Sequence, residues 1–220
     1  GRLLGRVTFD DVIDVVEAET TEDLLRFGGV SADEDLAAPW KAAVPTRLTW
    51  LLVNLLTAFL GLLTAFLYVL VYTPMKRVTW LNTIVGAIPG ALPPLMGWTA
   101  ARGIVSGGGL ALFAIQAFWQ LPHFMAIAWI YREEYARAGF KMLPVVDPQG
   151  HRTGFQAVSH TLALLAVSLC PFLFNLTGPI YLAGALILGL AFVWFAFRFS
   201  RDRTVARARQ LFYVSLVYLP

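Results

Sequence analysis

From about residue 48 onward the chain is built of long apolar stretches divided by short polar ones. Apolar runs cover roughly 48–72, 81–101, 110–130, 158–175 and 179–197, and a sixth covers 210–220. About 20 residues at 1.5 Å each cross a hydrocarbon core of about 30 Å, so each of the first five can span it. The 158–175 run does so only marginally. The runs are uninterrupted and rich in helix formers, without the period-two alternation of a barrel strand. The pattern therefore predicts five spanning helices and a partial sixth. Ahead of them, residues 3–9 alternate weakly as a strand, and Phe9-Asp10-Asp11 can cap a helix carrying Val12, Ile13, Val16, Leu24 and Leu25 on one face. Residues 1–47 read as a short soluble α/β segment, too poor in large apolar side chains to be more than the edge of a larger soluble domain. The expected fold is all-α, a polytopic membrane helical bundle over residues 48–220 behind that acidic segment.

Composition agrees with the pattern. Of 220 residues, 58% are hydrophobic and 14% charged, and the mean hydropathy of +0.66 exceeds what a soluble domain needs for its core. Cys170 lies inside an apolar run, where it reads as a small buried hydrophobe and excludes an intrachain disulfide framework. No basic n-region, short apolar h-region and small-residue cleavage site open the chain, so no signal peptide is expected. A start at Gly1 and a stop within an apolar run suggest a fragment.

Charge divides the chain. Residues 1–47 hold ten acids against five bases, a net of −5, whereas the other twelve bases and four acids give +8. Eleven of those twelve bases fall in the connections after the first, third and fifth helices, and Arg102 alone falls elsewhere. The positive-inside rule makes these three connections cytoplasmic and leaves residues 1–47 outside by alternation.

Candidate chemistry gathers where the third helix ends. In FWQLPHFMAIAWIYREEYARAGFKMLPVV, residues 118–146, an apolar helix runs into Arg132, Glu133, Glu134, Arg137 and Lys141, which must collect at one membrane surface. Lys76 and Arg77 follow the first helix at the same face, as phosphate-binding cations or as topology anchors. Arg132 and Arg137 offer the planar fork that phosphates and carboxylates accept. His123 follows Pro122 at membrane depth, where an imidazole needs a partner, either in a reaction site or on another helix. Asn82 and the series Gly86, Gly90, Pro93, Pro94 and Gly97 mark a second helix suited to close packing or to a ligand-facing backbone. Trp80, Trp98, Trp119 and Trp129 read as interface-belt or lipid contacts. No phosphate-loop, zinc-protease or paired Cys-x-x-Cys motif occurs, and the basic clusters flank membrane helices, so nucleic-acid binding has no support.

Two resemblances meet in the chain. GRLLGRVTFDDVIDVVEAETTEDLLRFGGV followed by RLTWLLVNLLTAFL, about residues 1–60, resembles the end of the regulatory CBS domain and the first membrane helix of the MgtE-type magnesium transporters. From about residue 54, NLLTAFLGLLTAFLYVLVYTPMKRVTWLNTIVGAIPGALPPLMGW, then the 118–150 block, then ARQLFYVSLVYLP, are similar to successive blocks of the heme O synthase branch of the UbiA prenyltransferases. That resemblance implies a multi-pass enzyme of the cell inner (plasma) membrane that transfers a farnesyl group from farnesyl diphosphate to protoheme IX, giving heme O. It further implies Mg²⁺ held by Glu133 and Glu134, where the family usually reads YRED. Lys76, Arg77, Asn82, Arg132, Arg137 and Lys141 would bind substrate, and His123 would sit near the heme with a catalytic role. The family's first acidic motif would stand upstream of NLLTAFL, and no acid there matches it, which puts activity of this chain alone in doubt. A CBS-like segment belongs inside the cell, against the alternation above. Either the first helix does not span, or two unrelated genes meet near residues 54–60, and a chimera is the expectation. The alternative functions are a magnesium transporter fragment and an inactive membrane fragment.

Overall fold

The structure, a computed structural model, describes residues 40–219, with side chains from residue 48. The strand and capped helix expected before residue 40 lie outside the described residues. The chain divides into two compact units, Gly1–Leu56 and Thr57–Pro220, and the division falls within the stretch where the two resemblances meet. The described part of the first unit is helical, and there the Asn54 side-chain amide donates to Trp50 O at 3.0 Å.

Among the described residues five helices are long and apolar enough to cross a membrane: Leu48–Val78, Asn82–Arg102, Gly107–Ile130, His151–Leu173 and Pro179–Arg201. A further helix, Val205–Tyr218, follows, and short helices Arg132–Arg137 and Leu143–Val146 fill the connection after the third span. Among the described residues there is no strand. Outward faces stay apolar, with Leu62 72% and Ile187 68% exposed, as a surface solvated by lipid tails requires.

Two boundaries differ from the apolar pattern. The first helix runs on to Val78 because a π-helical turn, Leu67–Tyr72, absorbs Pro74. The Thr73 N–H and hydroxyl both donate to Tyr68 O, five residues back, the hydroxyl at 2.8 Å. The fourth helix starts at His151, earlier than the apolar run, so that span is not marginal. The Asp147 carboxylate accepts from the Thr153 N–H at 2.8 Å and from its hydroxyl at 3.0 Å, an anion at a helix start that offsets the polarity of the added turn.

Lipid is as apolar as leucine, so close packing and interhelical hydrogen bonds, rather than burial from water, hold the second unit together. Its core joins the third, fourth and fifth spans and the helix Val205–Tyr218 through Ala126, Trp129, Ala157, Leu164, Phe192, Ala196, Phe199, Ala208 and Leu211. Small residues set the spacing. A Cβ on Gly154 would stand 2.8 Å from the Ser200 Cα, so the fourth and fifth spans touch backbone to backbone. Gly86 receives the Tyr72 ring and Gly90 receives the Gln120 amide, while Gly97 faces open space. Close packing therefore explains the first two glycines of that series.

Two tryptophans depart from the expected belt. Trp129 is buried edge-on against Phe199 at 5.8 Å. The Trp119 indole N–H donates to Ser215 O at 2.7 Å across to the last helix. Buried indoles need a partner for their N–H or an aromatic neighbour, and here the bundle supplies them.

Candidate functional site

The three basic connections come to one end of the bundle. The Lys141 N–H donates to Lys76 O at 2.7 Å, bonding the third connection to the first. The Arg152 guanidinium lies 4.8 Å over the Trp80 ring, and an Arg203 nitrogen is 3.4 Å from His151 Nε2, which brings in the fifth. At the other end the Trp98 indole donates to Ser106 Oγ at 2.9 Å, and Gly107 and Gly108 lie against Phe174 and Leu176. The pairing follows from short links between antiparallel helices, which put alternate connections at opposite ends.

Within the basic end, Lys76, Asn82 and Lys141 converge. Asn82 is fully buried, and its Nδ2 donates to Thr79 O at 2.6 Å and to Lys141 O at 3.2 Å. Its Oδ1 accepts from the Thr83 hydroxyl at 3.2 Å. Asn82 is expected to bind substrate; in the structure both of its Nδ2 protons are used in clamping the first connection to the third. Lys76 is half-buried, with its ammonium 4.4 Å over the Tyr72 ring. That contact holds the cation at the helix end without neutralising it.

The tight turn at Tyr131 ends the third span and starts the helix Arg132–Arg137. Glu133 and Glu134 stand exposed in its first turn, where carboxylates suit the helix start. Glu134 pairs with Arg137 at 3.5 Å on the surface, a contact of about 0–1 kcal/mol that a ligand can displace. Arg132 stacks 4.7 Å over Trp129, while Arg77 and Lys141 keep exposed side chains. Lys76, Arg77, Arg132, Arg137, Lys141 and both carboxylates thus belong to connections at one end of the bundle. Among the described residues no three His, Cys, Asp or Glu side chains group as a self-contained metal site. Glu133 and Glu134 are both exposed at this end, and hard cations take carboxylates together with phosphate oxygens and water.

His123 is not part of this cluster. It lies eight residues before Tyr131, about 12 Å down the helix at 1.5 Å per residue. Its ring stacks on Trp119 at 4.8 Å and meets Phe212 at 5.0 Å, and its Nδ1 is 2.7 Å from Ser215 Oγ. Ser215 has one hydroxyl proton; with that proton on Phe212 O, the imidazole Nδ1–H donates to Ser215 Oγ. His123 is expected near the heme with a catalytic role; the contacts it makes here join the third span to the last helix.

Three features were missed in the sequence. Tyr72 and Gln120 fill the spaces left by Gly86 and Gly90. Tyr131, Arg209 and Tyr213 meet at a cavity of about 210 Å³ between the third span and the last helix. The spacing 209, 212, 213 on one helix face was the available signal. A larger apolar cavity, about 440 Å³, lies toward the other end, where Gln116, Ser168, Tyr181 and Tyr218 are among its lining.

A bundle of membrane-length helices, with an acidic pair and several cations at one end, defines a multi-pass membrane protein. The chain belongs to the UbiA prenyltransferase family, whose pattern matches residues 9–217. It is 52% identical over 171 residues to a protoheme IX farnesyltransferase of Solibacter usitatus, covering 78% of this chain and 59% of the relative. It is 45% identical to the protein of that name in Koribacter versatilis, covering 77% of this chain and 57% of the relative. The protoheme IX farnesyltransferase of Acidiphilium cryptum is 40% identical over 224 residues, covering 96% of this chain and 70% of that protein. The chain thus spans a little under three fifths of the first two relatives. No solved structure matches it. The magnesium transporter alternative gains no support from these relatives.

Proposed function

We propose that the chain is the greater part of a prenyltransferase of the cell inner membrane that moves a farnesyl group from farnesyl diphosphate to the vinyl group of protoheme IX. The observation that carries the reading is the convergence of Lys76, Lys141 and the Arg132–Arg137 helix at one surface, in a chain 52% identical to a named protoheme IX farnesyltransferase. The basic end is the cytoplasmic one by the positive-inside rule. Glu133 and Glu134 would hold Mg²⁺, which when bound offsets the negative charge of a departing diphosphate. Lys76, Arg77, Arg132, Arg137 and Lys141 bind and orient the phosphates, Arg137 by leaving its pairing with Glu134. Asn82 fixes the two connections that carry Lys76 and Lys141, so the cations are in place before substrate arrives.

The test uses cells lacking their own heme O synthase, supplied with a full-length chain completed from a family member. Such cells should accumulate heme O, and Glu133→Gln should lower its formation by about 100-fold or more at equal membrane abundance. Full turnover by that variant would remove the acidic pair from the mechanism. The transporter-like order of residues 1–60 supports the proposed join near 54–60, while the family match from residue 9 crosses it. Long-read sequencing across codons 50–62 tests that join, and an unbroken gene would dismiss it.

A further inference from the structure

Between the third span and the last helix, two helix faces with the same spacing oppose each other: Ile127, Ile130 and Tyr131 on one, Arg209, Phe212 and Tyr213 on the other. They close a cavity of about 210 Å³ that opens at the basic end of the bundle. Its floor is apolar, and its rim carries one guanidinium and two phenol hydroxyls. Below the floor the seam is shut by Phe212 against the His123 ring and by the His123–Ser215 hydrogen bond. Arg209 makes no ion pair or hydrogen bond among the described residues. Its neighbour Arg207 is taken up by Asp202 at 3.2 Å and by Gln210 at 3.0 Å. A fork of five donors thus stands exposed at the basic end, beside two phenols and above an apolar floor, with no counter-ion among the described residues.

We propose that Arg209, with Tyr131 and Tyr213, is the subsite for a carboxylate arm of the porphyrin acceptor. This rests on the reading of the chain as a protoheme prenyltransferase. Ligand cavities that take whole small molecules run to about 300–1,000 Å³, so this one takes one arm and the adjoining edge of a larger amphiphile. A guanidinium matches a carboxylate with two parallel hydrogen bonds and needs no metal. No carboxylate lines the cavity, which separates it from a metal-bridged diphosphate site of the kind the Glu133–Glu134 pair suits. Tyr131 stands two residues before Glu133 in the chain, at the turn that starts the Arg132–Arg137 helix, so a porphyrin anchored here would present its edge next to the helix that would hold the diphosphate.

The experiment measures binding of protoporphyrin IX and of its dimethyl ester to the purified chain in neutral-lipid nanodiscs, by porphyrin fluorescence, for the wild type, Arg209→Ala and Arg209→Lys. Arg209 is exposed, so both variants should fold. Loss of a charge-assisted pair should weaken the free acid about tenfold or more in Arg209→Ala, with Arg209→Lys between and the ester unaffected. Equal affinity of wild type and Arg209→Ala for the free acid would overturn the subsite while leaving the prenyltransferase reading intact. No porphyrin binding by any form would overturn both. Loss of farnesyl diphosphate binding in Arg209→Ala with porphyrin affinity unchanged would reassign the guanidinium to the diphosphate. Displacement of porphyrin by anionic phospholipid in the discs at equal strength for wild type and Arg209→Ala would likewise overturn the assignment.

Discussion

Replacing Asn82 by leucine separates a clamp from a ligand contact. The side chain is fully buried and donates to Thr79 O at 2.6 Å and Lys141 O at 3.2 Å. Leucine has the same branched outline with bulkier methyls, so no cavity forms and the lost hydrogen bonds set a lower bound on the cost. Three bonds, the one from the Thr83 hydroxyl included, at about 1 kcal/mol each give about 3 kcal/mol. Reversible unfolding of the second unit in mixed micelles should show that loss. Hydrogen exchange offers a local check, because the Lys141 N–H donates to Lys76 O at 2.7 Å across the same clamp. Releasing the clamp should speed exchange of that amide roughly tenfold or more, since every 1.4 kcal/mol is a factor of ten. An Asn82→Leu protein with unchanged stability and Lys141 protection, but weakened phosphate binding, would refute the clamp and restore Asn82 to a direct role.

Gly154→Val should destabilise the bundle by about 1–3 kcal/mol, because its side chain must push the Ser200 backbone away. Gly97→Ala, which faces open space, should be neutral or stabilise by about 0.5–1 kcal/mol through helix propensity, and the same unfolding assay reads both. Cysteines at Thr79, Gln149 and Thr204, with Cys170 removed, should resist an impermeant thiol reagent in intact cells, and ready labelling of all three would reverse the assigned topology. His123→Ala and Ser215→Ala should each cost stability, and their double variant should cost less than the sum by about 0.5–3 kcal/mol. Strict additivity would show that the two side chains are not coupled.

The apolar runs by themselves determined the number of spans and the all-α class, because a backbone in lipid must satisfy its own hydrogen bonds and a helix does so within one segment. The YREE block, residues 131–134, and the bias of bases toward three connections likewise located the charged end without any coordinates. What the tertiary structure decided is the employment of each polar side chain within those helices. Asn82 and His123 are polar residues at membrane depth, and sequence alone allows such a residue either a ligand or another helix as partner. Only the packed neighbours, Lys141 O for one and Ser215 for the other, choose between them. Arg209 went unread for the opposite reason. It stands among five bases whose bulk effect is topology, and its difference from Arg207 lies in which acids and amides come within reach of it. That is set by helix rotation, which a run of apolar residues facing lipid on one side and protein on the other leaves unspecified.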